Sequence, residues 1–211
     1  MVSSDILASL TAIANEWRAL ASAWHVVIAA AGVTMWWRRV DARAIAALLS
    51  LMAFSVAAMA AWSGNPFNIA VFVALGLVMV ALAAIVLPPQ LGSTHGADLA
   101  AGAVMCAFGW LYPHFLSGSA WQYLYAAPLG LLPCPTLAFI IGVSLLTNSF
   151  DSTAWAILCA SLGLFYGVTG VFVFGVAIDW LLVGGATILA ATALRRVRIA
   201  RTKPFTDRRT I

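Results

Sequence analysis

"DWLLVGGATILAATALRRVRIAR", residues 179–201, decides how the whole chain is read. Residues 180–194 carry no charge, and Arg195, Arg196, Arg198 and Arg201 follow at once. An apolar stretch of this kind closed by clustered arginines reads as a spanning helix anchored on the cytoplasmic side. It cannot be continuous with the apolar run before it. A single helix of about forty residues would overshoot a bilayer of about 30 Å twofold, so "VFGVAID" (173–179) must break the chain.

The rest of the chain has the same character. Of 211 residues, 64% are hydrophobic and 9% charged, with a mean hydropathy of +1.01. A soluble domain needs about a quarter of its residues charged, so lipid must be the solvent for most of this surface. The net charge of +4 does not indicate nucleic acid, because seven of the eleven basic residues lie in positions 195–211. The first residues do not read as a secretory signal, since they lack a basic region and carry Asp5 and Glu16. Cys106, Cys134 and Cys159 form no close pair, which argues against a disulfide framework.

On a spanning length of about 20 residues, seven apolar segments emerge: 19–37, 42–62, 67–87, 98–117, 133–149, 153–173 and 177–194. The expectation is an all-α integral membrane bundle of seven helices. In the six-helix alternative, the short fifth segment is re-entrant. With the N-terminus outside, Arg38, Arg39, Arg43 and the basic tail fall inside and only Arg18 outside, the distribution of an inner-membrane, multi-pass protein. Residues 1–18 are expected as an amphipathic helix on the outer face, since Ile6, Leu7, Leu10, Ile13, Ala14 and Trp17 recur at helical spacing. Residues 19–194 form the bundle and 195–211 the cytoplasmic tail.

Polar groups gather toward the outer side of this topology. His25 lies in the first span. Asn65, in "GNPFN", opens the third. Tyr112 and His114, in "WLYPHF", end the fourth. Cys134 and Thr136 open the fifth, and Asp179 opens the seventh. Ionisable groups within a bilayer cost a few kcal/mol on insertion scales, so each needs a partner or a purpose. His25, Asn65, Tyr112, His114, Thr136 and Asp179 are therefore candidate solute contacts. The bland readings are an interhelical hydrogen bond for His25 and a helix cap for Asp179.

"PLGLLPCPT" (128–136) sets a cysteine between two prolines. Pro135 suits the first position of a helix, where its missing N–H is no loss. The prolines then specify a sharp entrance with Cys134 at the cap. His25, His114 and Cys134 make a mixed set that suits copper or zinc. "GLFYGVTG" spaces Gly163, Gly167 and Gly170 for close helix packing. The only lysine, Lys203, stands in the tail, which excludes a retinal Schiff base. No phosphate-binding loop and no hydrolase or zinc-protease motif occurs.

The "YP" of Tyr112–Pro113, "PLGLLPCPT", "GNPFN" and "GVAID" (175–179) resemble a bacterial family of multi-pass membrane proteins known only as a domain of unknown function, with a "GLPCPT" signature. Here Leu131 and Leu132 both separate the glycine from the proline, one residue more than that signature. The resemblance implies the architecture and no activity. Three functions fit the residues: a small-solute channel or transporter, an outward-facing metal or redox protein, and an accessory subunit of a larger membrane complex. The first is favoured by the outer polar cluster and the proline-broken helix entrance. Expected partners are the bilayer and either further copies of the chain or other membrane subunits.

Overall fold

The structure, a computed structural model, describes residues 3–37, 41–85, 94 and 96–202. Arg38, Arg39 and the tail beyond Thr202, on which much of the orientation reading rests, lie outside the described residues. All the described secondary structure is helical: α1 (Ser3–Glu16), α2 (Arg18–Trp37), α3 (Ala42–Trp62), α4 (Pro66–Ile85), α5 (Gly96–Leu111), α6 (Tyr123–Ala126), α7 (Pro133–Leu146), α8 (Thr153–Phe172) and α9 (Trp180–Thr202). Short 3-10 turns precede α6, α8 and α9. Four helical stretches are long and apolar enough to cross a membrane: α3, α4, α8 and Ala177–Arg198, which joins the preceding 3-10 turn to most of α9. The apolar parts of α2, α5 and α7 are shorter.

Each of the seven apolar segments contains one helix, and the differences lie at their ends. Pro113 disfavours helical backbone at the residue before it, so α5 stops at Leu111 and leaves Tyr112 and His114 in the following loop. At the other extreme, α9 runs to Thr202, so the first eight residues of the supposed tail are helical. Pro133, not Pro135, takes the first position of α7, after Leu132 in extended backbone (φ −110, ψ 150). Both prolines fall in the first turn, where backbone N–H groups have no helical partner in any case.

α3 packs along α4, α5 along α7, and α8 along α9. The short α7 is central to the last two pairs, touching α3, α5, α8 and α9, and eleven of its fourteen residues are buried. A helix apolar all round is stable only when enclosed, and glycines make that possible here. A Cβ on Gly109 would come within 2.6 Å of the Pro135 carbonyl oxygen, and one on Gly102 within 2.9 Å of the Gly142 oxygen. Gly163 and Gly167 do the same work between α8 and α9, against Ala186 and Val183. Trp155 of α8 is fully buried and donates from Nε1 to Ser144 Oγ of α7 at 2.9 Å.

These hairpins give the molecule two ends. One, the α1 end, holds α1, the turn at 63–65, the loop from Tyr112 to Leu132 and the link 173–179. The other, the tail end, holds the C-terminal part of α9 and the α7–α8 turn. In that turn Asn148, Ser149, Phe150 and Asp151 all have left-handed backbone (φ 50, 48, 53 and 57). Such a conformation costs about 1–2 kcal/mol per L-residue. Burial of Phe150 against Trp155, with ring centroids 4.9 Å apart, helps to hold it.

α1 turns its apolar face onto the chain itself. Ile13 and Ala14 are buried in a cluster with Met59, Leu131 and Leu132. The elbow between α1 and α2 is a bend, because Trp17 N–H still reaches the Ile13 oxygen at 3.1 Å. Polar bonds fix it to the loop after α5. Asn15 Nδ2 donates to the Phe115 oxygen at 2.8 Å, and Arg18 donates to the Ser117 oxygen at 2.7 Å and to Gln122 Oε1 at 3.2 Å.

Candidate functional site

Three helices begin at the α1 end around one space. Gly64 (φ +68) turns the chain after α3. Asn65 then accepts from the Asn68 N–H at 3.1 Å, capping α4 with Pro66 at its first position. The proline pair opens α7, and Gly175 (φ +69) breaks the run between α8 and α9. Between these starts lies a cavity of about 280 Å³, near the lower bound of about 300 Å³ for small-molecule sites. α1 contributes Ile6 and Leu10 to its wall, and α8 contributes Phe165, Tyr166 and Thr169.

Asp179 is the charged group of the cavity. It is 1% exposed, and its Oδ1 accepts a 2.8 Å hydrogen bond from the hydroxyl of Tyr112. Oδ2 has no hydrogen-bond partner. It lies in a notch left by Gly170, where any side chain would run into the carboxylate. The carboxylate therefore does not act as the helix cap that its position suggests. Cys134, half-buried at the second position of α7, stands beside both Tyr112 and Asp179. On the facing wall Tyr166 donates to Asn68 Oδ1 at 2.7 Å. No Lys, Arg or His is among the described residues that line the cavity.

Of the residues singled out from sequence, Asn65, Tyr112, Cys134 and Asp179 meet here. Thr136 does not reach the space. Its Oγ1 donates to the Leu132 oxygen at 2.7 Å and accepts from the Gly130 N–H at 3.0 Å, fastening the turn that leads into α7. His25 is buried on α2, with Nδ1 2.8 Å from the Ala21 oxygen and Nε2 3.0 Å from the Trp110 oxygen. The Trp110 oxygen belongs to the last turn of α5, where carbonyls lack helical partners, so His25 ties α2 to the end of α5. Its ring also packs edge-on against Trp110 at 4.5 Å.

His114 is exposed in the loop after α5 and lines a separate open groove with Leu7, Thr11 and Tyr123. Partial burial pushes its imidazole below the ordinary histidine range, favouring the neutral ring. The metal set expected from His25, His114 and Cys134 is not assembled. Among the described residues, no three His, Cys, Asp or Glu side chains stand together as a metal would require.

Sequence reasoning passed over Tyr166 and Thr169 and read Gly170 only as packing. The glycines of "GLFYGVTG" drew the reading toward packing, yet 166 and 170 share a helix face with 163 and 167. A tyrosine on an otherwise glycine face was the available signal. Comparison with protein families, with curated proteins and with solved structures found no match.

Proposed function

We propose that this chain is a seven-span protein of the inner membrane, N-terminus outside, that binds a small solute in the α1-end cavity and carries it across the bilayer. The four long apolar helices support a membrane location. The seven-span count and the orientation rest on the alternation of helices and on the arginine distribution in the sequence. The resemblance to the bacterial family with the "GLPCPT" signature agrees with that architecture.

One observation carries the solute reading. A buried carboxylate borders a cavity with one of its oxygens unpartnered. An isolated charge in an apolar setting is costly, and a partner that arrives with a ligand removes that cost. Helix starts broken by proline and glycine around the same space are a transporter's way of exposing polar groups within a membrane.

The test uses a chain in which Cys106 and Cys159 are alanine, so that Cys134 reports on the cavity. Oriented proteoliposomes are treated with a mixture of impermeant cationic and anionic methanethiosulfonates, either added outside or trapped in the lumen. A transporter exposes Cys134 to both sides. Labelling from the α1 side only would leave a binding protein without transport, and no labelling from either side would remove the cavity as a solute site.

A further inference from the structure

We infer that the solute is a small organic cation, an ammonium ion carrying an apolar or aromatic body. This rests on the solute-binding reading of the same cavity and adds to it the charge and shape of the occupant.

Three helix starts would ordinarily suit an anion, because unpaired N–H groups and the helix dipole both favour negative charge there. In this molecule several of those donors are missing or already taken. Pro133 and Pro135 strip two N–H groups from the first turn of α7. At α4, Pro66 has none and the Asn68 N–H is taken by Asn65. At α9, the Trp180 N–H bonds the Ala177 and Ile178 oxygens. An incoming carboxylate or phosphate would meet few free donors and one like charge.

A cation meets the opposite surroundings. Asp179 Oδ2 lacks a donor, and an ammonium N–H supplies one. Tyr112 holds the other oxygen and so fixes the carboxylate in place. Phe67, Phe115, Phe165, Tyr166 and Phe174 complete a wall of rings, whose faces attract cations and whose bodies exclude water. No basic side chain among the described lining residues competes for Asp179. A neutral apolar molecule would fill the space and leave the carboxylate unpaired, the costlier state of a buried charge.

The experiment measures how fast Cys134 reacts with three methanethiosulfonates of similar size: aminoethyl (cationic), sulfonatoethyl (anionic) and methyl (neutral). In each, the thiolate sulfur attacks the thiosulfonate sulfur, a disulfide forms and methanesulfinate leaves. The protein is the detergent-purified chain that keeps only Cys134, with rates normalised to those of a small free thiol. The cationic reagent should outpace the anionic one by about tenfold or more, as expected for a like or opposite charge a few ångströms away. Asp179→Asn should bring the ratio within about threefold, since the charge is gone and the shape kept.

Phenethylammonium should slow labelling by the neutral reagent, and phenethyl alcohol at the same concentration should not. These two wild-type readouts stand even if Asp179→Asn does not fold. Equal rates for the two charged reagents, with the neutral one still labelling, overturn the cation and leave the cavity as a solute site. Failure of the neutral reagent to label overturns the solute reading and the cation together.

Discussion

Two buried carboxylates mark the two ends of the molecule, and they are treated in opposite ways. Asp98 at the tail end is 3% exposed; its Oδ1 accepts from Thr192 Oγ1 at 3.3 Å and faces Arg195 at 3.5 Å. It also sits in the first turn of α5, where the helix dipole favours an anion. Around it, Arg196 donates to Asn148, and Thr94 donates to the Leu146 oxygen at 2.7 Å. That end is a set of joints, tying α5, α7 and α9 together. Asp179, at the opposite end of α9, has the Tyr112 hydroxyl, the neighbouring Cys134 thiol, a notch and a cavity. A buried charge with its partners present is architecture; one with an oxygen unpartnered beside a cavity is an unmet valence, and the natural place for a ligand.

The contrast can be broken most forcefully at Gly170. A methyl group there meets the Asp179 carboxylate, so Gly170→Ala should cost about 2–3 kcal/mol as overpacking and displace the acid. Thermal unfolding in detergent would show the lowered midpoint, and the charge preference at Cys134 should fall with it. Tyr112→Phe comes next. It removes the Tyr112 hydrogen bond to the Asp179 carboxylate and should cost about 1–2 kcal/mol, the penalty of a buried polar group that loses a partner.

At the tail end the effects should be smaller or favourable. Ser149 has left-handed backbone and an unpartnered buried hydroxyl. Ser149→Gly relieves both and should raise stability by about 1 kcal/mol after the entropy of glycine is subtracted. The weakest change is Arg195→Gln. The Arg195 side chain is 60% exposed, so its pairing with Asp98 should contribute no more than about 0.5 kcal/mol and be further reduced by salt. A loss at Arg195 equal to that of Tyr112→Phe would erase the difference between the two ends.

Much of the fold was legible because apolar length and helix punctuation are local signals. The start of α4 at "GNPF" and the break at Gly175 follow from residues within a few positions, and the stop of α5 before Pro113, which the segment 98–117 overran, has an equally local cause. What was not legible depends on which faces meet. His25 looks reactive in sequence, and only packing shows it held by the Ala21 and Trp110 oxygens. Thr136 sits beside the right cysteine yet points back to its own turn. Gly170 reads as packing until Asp179, nine positions on, folds back against it. The left-handed turn at 148–151 has no glycine to announce it, because tertiary burial of Phe150 overrides local preference. The pairing of Asp98 has no local signal, since Thr192 and Arg195 lie far along the chain.

The proposed function implies that Asp179 is left with an unpartnered oxygen for the sake of a ligand and at the expense of the fold. The unfolding midpoints of Asp179→Asn and Asp98→Asn, measured side by side in the ligand-free protein, test this most directly. Asparagine at 179 keeps the acceptor for Tyr112 and removes an unpaired buried charge, so its midpoint should equal or exceed the wild-type value. Asparagine at 98 gives up a charge that is paired and well placed on a helix dipole, so its midpoint should fall. If Asp179→Asn falls as far as Asp98→Asn, the two carboxylates are the same kind of structural joint and the cavity is a gap in packing.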